Sequence, residues 1–125
     1  MIKKVISYID FNGNERKEEF YFHLSEAEAA EMELSVNGGL TAMIQRIVSA
    51  QDNSTIIKIF KELILKSYGV KSLDGRTFEK SEKISKEFEQ TPAYNELFLE
   101  LSRDSKKAAD FFNGVIEKPK RNKPE

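Results

Sequence analysis

The chain has 125 residues, 39% of them apolar and 33% charged, with a net charge of −1 and no cysteine. That length is one domain with a real hydrophobic core, and the near-neutral balance excludes a global field that would recruit nucleic acid or an anionic membrane. The missing cysteines exclude disulfide and thiolate chemistry, and no apolar run is long enough for a signal peptide or a membrane span, so the expected location is the cytoplasm.

Residues 3–22 read as a β-hairpin. Val5, Ile6, Tyr8 and Ile9 are strand formers, as are Phe20, Tyr21 and Phe22, and Asn12-Gly13-Asn14 between them supplies the positive φ of a tight turn. The flank Glu15-Arg16-Lys17-Glu18-Glu19 is polar, which places the start of the second strand late. A lone hairpin is marginal in water, so its apolar face must lie on helices.

Ser25 has the signature of an N-cap, with Glu28 as its capping-box partner and Leu24 as the staple before it. The helix it opens runs from Glu26 to about Leu34 and stops at Asn37-Gly38-Gly39. A second helix places Leu40, Met43, Ile44, Ile47 and Val48 on one face. Asp52-Asn53-Ser54 then breaks the chain and caps a third helix over about 55–67. Its Ile56, Ile57, Ile59, Phe60, Leu63 and Ile64 cover half the circumference and place it at the centre of the core. Gly69 is its expected terminator. Leu73-Asp74-Gly75-Arg76 is a turn, compatible with a miniature hairpin that packs Phe78 inward. A fourth helix spans about 81–89 with Ile84 and Phe88 inward. Thr91-Pro92 opens a fifth, which carries Tyr94, Leu97, Phe98 and Leu101. A sixth begins near Asp104, carries Ala108, Phe111 and Phe112, and ends at Asn113-Gly114. The expected fold is therefore α+β and predominantly α: an N-terminal β-hairpin packed on a bundle of five to six short helices. Residues 1–116 form one globular domain, and residues 117–125, with no apolar side chain, form a disordered basic tail.

Residues with catalytic potential are sparse. His23 is the sole histidine, so neither a triad nor an ordinary zinc site can be assembled around it. It sits where a strand enters a capped helix, and a bond to backbone or water accounts for it. The carboxylates Glu18, Glu19, Glu26, Glu28, Glu31, Glu33, Glu82, Glu87 and Glu89 lie among lysines on polar faces, which is the pattern of solvated surface. Gly38-Gly39 lacks the lysine of a phosphate-binding loop. Lys118, Lys120, Arg121 and Lys123 have no aromatic neighbour on which a base would stack. No catalytic, cofactor or metal residue emerges, and no cofactor is implied. Three apolar residues fall off the core stripes of their helices: Met32, Leu65 and Leu99. Apolar side chains at such positions are candidate contacts for a partner protein.

The stretch Glu19-Phe20-Tyr21-Phe22-His23-Leu24-Ser25, the later Ile44-Gln45-Arg46-Ile47-Val48, and above all Phe60-Lys61-Glu62-Leu63-Ile64-Leu65-Lys66-Ser67-Tyr68-Gly69-Val70-Lys71-Ser72 carry a resemblance. So do Asp74-Gly75-Arg76, Thr91-Pro92-Ala93-Tyr94, Leu97-Phe98-Leu99-Glu100-Leu101 and Phe111-Phe112-Asn113-Gly114. In this order and spacing the chain resembles tail assembly chaperones of long-tailed, siphovirus-type phages and prophages of Gram-positive bacteria. The resemblance implies a protein without catalytic residues. Such a chaperone coats the tape measure protein, keeps it soluble in the host cytoplasm until tail tube subunits polymerise, and is absent from the mature virion. It also implies self-association in multiple copies and contact with the tail tube protein, with no nucleic acid and no membrane partner. The rival readings are another small head–tail or tail structural component and, from a different class, a small enzyme with a polar-lined cleft.

Overall fold

The computed structural model describes residues 1–35 and 53–116, together with Ala42 and Gln45. The described strands are β1 (Ile2–Ile9), β2 (Glu15–Phe22), β3 (Tyr68–Lys71) and β4 (Phe78–Glu79). The described helices are α1 (Glu26–Ser35), α2 (Asn53–Ser67), α3 (Glu82–Glu89), α4 (Pro92–Arg103) and α5 (Ser105–Ile116). The architecture is α+β with helix predominant. The expected second helix, the Asn37-Gly38-Gly39 stop, Asp52 and the 117–125 tail lie outside the described residues.

The N-terminal hairpin forms, and its pairing is longer than its polar flank suggested. Register runs without a break from Ile2↔Phe22 to Ile9↔Glu15, so β2 starts at Glu15 and not late. The charged side chains of that flank are exposed and meet opposite charges across the hairpin, such as Lys3–Glu19 at 3.5 Å and Arg16–Asp10 at 2.6 Å. Backbone pairing needs no apolar side chain where both faces reach water. The second hairpin also forms, with Lys71↔Phe78 and Val70↔Glu79 in register. Its strand β3 pairs with the end of β2 through Tyr21↔Gly69 and Phe22↔Tyr68. The two hairpins therefore join in one antiparallel sheet of order β1-β2-β3-β4, where local patterning suggested separate hairpins.

Two glycines read as helix stops do something else. Helix α2 ends at Ser67 and passes directly into β3, so Gly69 lies inside a strand. A Cβ there would come within 2.5 Å of the Phe78 ring and 2.9 Å of the Glu79 carbonyl oxygen, so glycine is what lets β4 close over β3. Gly114 does not end α5 either, which continues to Ile116 with Val115 fully buried. A glycine inside a helix costs about 1 kcal/mol relative to alanine. Here Ile2 lies against it, with its Cδ1 3.1 Å from where a Cβ would stand. The Met1 amino group donates to the Gly114 carbonyl at 3.2 Å and the Leu24 N–H to the Val115 carbonyl at 2.9 Å, so the helix end is pinned to the N-terminal segment.

The core lies between the sheet's inner face and the helices. Phe22, Leu24, Phe60, Leu63, Ile64, Phe88, Leu97, Leu101, Phe111 and Phe112 are all buried within it. Phe60 is central to α2, its ring 5.5 Å from Phe98 and 5.1 Å from Phe112. Ile57, expected on the same buried face, is 48% exposed. The caps read at Ser25 and Thr91 are made. The Ser25 hydroxyl accepts from the Glu28 N–H at 3.1 Å while the Glu28 carboxylate accepts from the Ser25 N–H at 3.0 Å. The Thr91 hydroxyl accepts from the Tyr94 N–H to cap α4, with Pro92 in its first turn, and Ser81, not singled out in the sequence, caps α3 through the Ile84 N–H. Truncating Phe60 to alanine should cost about 3–5 kcal/mol, and Gly69→Ala about 1–3 kcal/mol by overpacking against β4. Chemical denaturation of the two variants checks both values.

Candidate interaction surface

Lys80 is the polar centre of the fold. Its ammonium donates to both Glu28 carboxylate oxygens at 2.6 and 2.8 Å, to the His23 carbonyl at 2.7 Å and to the Lys66 carbonyl at 3.2 Å. One cation thus ties the first capping box, the end of β2 and the end of α2 to β4. Burial pushes the Glu28 carboxyl up, but hydrogen bonds from Lys80 and Ser25 outweigh it and hold the pKa below its ordinary value. His23 is next to this junction, as its position at a strand-to-helix boundary suggested. Its N–H donates to the Ser67 carbonyl at 2.7 Å, and its ring stands edge-on to Phe78 at 6.2 Å. Its buried Nδ1 has no hydrogen-bond partner among the described residues. Burial, the N-terminal ammonium and Lys80 lower its pKa.

The carboxylates read as solvated surface are mostly that. The groove of roughly 660 Å³ between the hairpin and α4 is lined by Tyr8, Glu15, Arg16, Lys17 and Glu96 among others. Two of its lining side chains are already engaged: Arg16 holds Asp10, and the Tyr8 hydroxyl donates to Glu18. That hydrogen bond, with burial second, raises the Tyr8 phenol. No group of three or more potential metal ligands is found among the described residues, and no described helix is long and apolar enough to cross a membrane.

Of the three residues singled out as off-stripe, Met32 requires correction. It is 6% exposed and belongs to the core cluster, so its place off the helical stripe does not put it on the surface. Leu65 is half-buried against that cluster, and Leu99 is half-buried on α4. The structure does not bring the three together as one exposed patch. Among the described residues the exposed large apolar side chains lie elsewhere: all but Ile57, on α2, are on the sheet and its turns. Residues of β1 alternate, with Ile2, Lys4, Ile6 and Tyr8 toward the helices and Lys3, Val5, Ser7 and Ile9 away. Val5 is 48% and Ile9 60% exposed, while Phe11 is 86% exposed and Leu73 wholly so. Strand alternation could have found Val5 and Ile9, and Leu73 stands directly before a turn dipeptide. Phe11 stands in the same way directly before Asn12-Gly13.

Phe11 and Leu73 occupy equivalent places in two well-tied turns. In the first, Gly13 N–H donates to the Asp10 carbonyl, and one Asp10 carboxylate oxygen accepts from the Asn12 and Asn14 N–H groups, all at 2.9 Å. In the second, Gly75 N–H donates to the Ser72 carbonyl at 3.1 Å, and the Asp74 carboxylate accepts from the Ser72 hydroxyl at 2.7 Å and the Arg76 N–H at 3.0 Å. Both glycines take positive φ, 84° and 76°. The Arg16 guanidinium first, then the Asn14 and Asn12 N–H groups, hold the Asp10 pKa below the ordinary carboxylate value, and the Ser72 hydroxyl and Arg76 N–H do the same for Asp74. Because β1 and β3 run in the same direction, the two turns project from the same end of the sheet. Each presents a large apolar side chain to solvent on a backbone that has little freedom left to lose.

A sequence profile described as "Phage tail assembly chaperone" matches residues 1–121. No curated protein and no solved structure matches the chain.

The histidine supplies a test of the junction. A base whose pKa is depressed by folding leaves stability intact above its unfolded value near 6.5 and removes it as pH falls below that, because the unfolded state then binds more protons. The melting temperature should therefore fall between pH 7 and pH 5.5 in the parent, and fall less over the same interval in His23→Gln. Thermal melts across that range measure the difference.

Proposed function

The chain belongs to the phage tail assembly chaperone family, and on that premise we propose that it binds the tape measure protein of a siphovirus-type phage or prophage and keeps it soluble during tail morphogenesis. It acts without catalysis, in the cytoplasm of a Gram-positive host, and leaves before the virion is complete. The tail tube protein is the partner that displaces it. The family match over residues 1–121 is the observation that carries this reading.

The surface supports it physically. A long amphipathic helix exposes apolar stripes that aggregate unless covered. Phe11 and Leu73 offer apolar anchors on turns whose order is already set, so binding costs little further entropy. Burying one such side chain yields roughly 1.5–3 kcal/mol, which is weak alone and cumulative when many copies line one filament. A coat built this way holds firmly and still comes off when tube subunits compete for the same stripes. Leu99, half-buried on α4, is a second candidate contact.

Co-expression of the tape measure gene with parent, Phe11→Glu, Leu73→Glu or Leu99→Glu protein tests the proposal. The parent should raise the soluble tape measure fraction and co-purify with it. The Phe11 and Leu73 variants should do so several-fold less well while melting like the parent, since exposed substitutions usually change stability by no more than about 0.5 kcal/mol. Tape measure that stays insoluble and unbound beside the parent would sink the chaperone reading. Recovery of the chain in purified virions would favour a structural tail component instead.

A further inference from the structure

β1 is the outermost strand of the sheet, and among the described residues no strand pairs with its second edge. A bare edge offers a row of N–H and C=O groups to any extended chain, and soluble proteins blunt such edges with short strands, bulges, prolines or charges. β1 is 8 residues long, has no proline, and pairs with β2 without a bulge. Lys3 and Lys4 charge its beginning, but Val5-Ile6-Ser7-Tyr8-Ile9 carries no charge at all. On the face turned away from the helices, Val5 is 48% and Ile9 60% exposed.

The strand is complementary to itself in one register. Two copies related by a two-fold axis normal to the sheet keep their helices on the same side only if facing residues share parity. With the axis at Ser7, Val5 of one copy faces Ile9 of the other, Ile6 faces Tyr8, and Lys4 faces Asp10. Both exposed apolar residues then cover each other twice, and Lys4 meets the opposite charge of Asp10 just beyond the strand's end. Moving the axis to Ile6 sets Ile9 against Lys3 and Val5 against Ser7. Moving it to Val5 leaves Ile9 facing Met1 at the strand end. Cross-strand apolar pairs and opposite charges each add stability to an antiparallel pair. We propose that β1 pairs antiparallel with β1 of a second copy of this chain, centred on Ser7, so that two sheets become one continuous sheet. The pairing concerns this chain alone and does not depend on the tape measure reading.

The test uses the full chain. Sedimentation velocity over a range of concentrations should show a monomer–dimer equilibrium. Val5→Lys and Ile9→Glu should each weaken the dimer about tenfold or more by removing two apolar contacts. An equimolar mixture of the two variants should regain affinity, because the new ammonium and the new carboxylate then face each other. Since the chain has no cysteine, Ser7→Cys places two thiols opposite one another at the axis. It should form disulfide-linked dimers under mild oxidation much faster than Asn12→Cys, whose thiol sits in the turn. Circular dichroism verifies that each variant is folded, and if Val5→Lys fails to fold the Ser7→Cys comparison decides alone. A parent that is monomeric at every concentration, or crosslinking no faster at Ser7 than at Asn12, overturns the proposal. So does a folded mixture no tighter than its components, which would place any dimer interface elsewhere.

Discussion

Phe22 is the residue on which the layers converge. Fully buried at the end of β2, its ring lies 5.6 Å from Tyr68, 5.7 Å from Phe88 and 5.2 Å from Phe111. Those three belong to β3, α3 and α5, so one side chain touches the second hairpin, the middle helix and the last helix. Tyr68 and Phe88 stack at 4.1 Å beside it. A sheet with one covered face needs an apolar layer against it, and aromatic rings supply most of that layer here. Each ring buries a large area and has few rotamers to lose, which suits a chain with a modest apolar fraction. Phe22 pairs with Ile2 of β1 on one side and with Tyr68 of β3 on the other, so its burial also bears on the register of both neighbours.

Around this layer runs a polar seam held by Lys80. A lysine in such a position is costly unless every proton finds an acceptor. It finds two backbone carbonyls and the Glu28 carboxylate, and Glu28 is at the same time the partner of the Ser25 cap. The first helix is thereby tied to β4 across some fifty residues of sequence. Exposed ion pairs such as Lys83–Glu87 contribute little by comparison. Hydrogen bonding of a charged group away from bulk water is the stronger kind of contact, and here it ties the start of α1 to the ends of β2 and α2.

The division of the sheet into two faces governs the surface as well. The helices take one face and leave the other to water, so half of the apolar residues of β1 stay outside the core. The two turns at one end of the sheet are closed by their own aspartates and glycines, which leaves Phe11 and Leu73 without any role in closing them. Apolar side chains that neither fold the chain nor cap a turn have contact with other proteins as their natural use, and this is consistent with a member of a chaperone family whose work is association.

What the sequence by itself determined is whatever depends on neighbours within a few residues. The Ser25–Glu28 capping box, the Thr91-Pro92 start, the turns at Gly13 and Gly75 and the burial of Phe60, Leu63 and Ile64 follow from local chemistry and helical period, and all are found. So is the family, carried by the order of many short pieces. What only the tertiary structure decided depends on contacts distant in sequence. The joining of two hairpins through Phe22↔Tyr68 has no local signature, because backbone pairing is indifferent to the side chains that flank it. Gly69 and Gly114 read as stops because glycine is a poor helix former, and became places of close approach because Phe78 and Ile2 arrive against them. Met32 read as off-stripe on its own helix and is buried, since which side chains a helix covers is set by what packs against it and not by the helix alone.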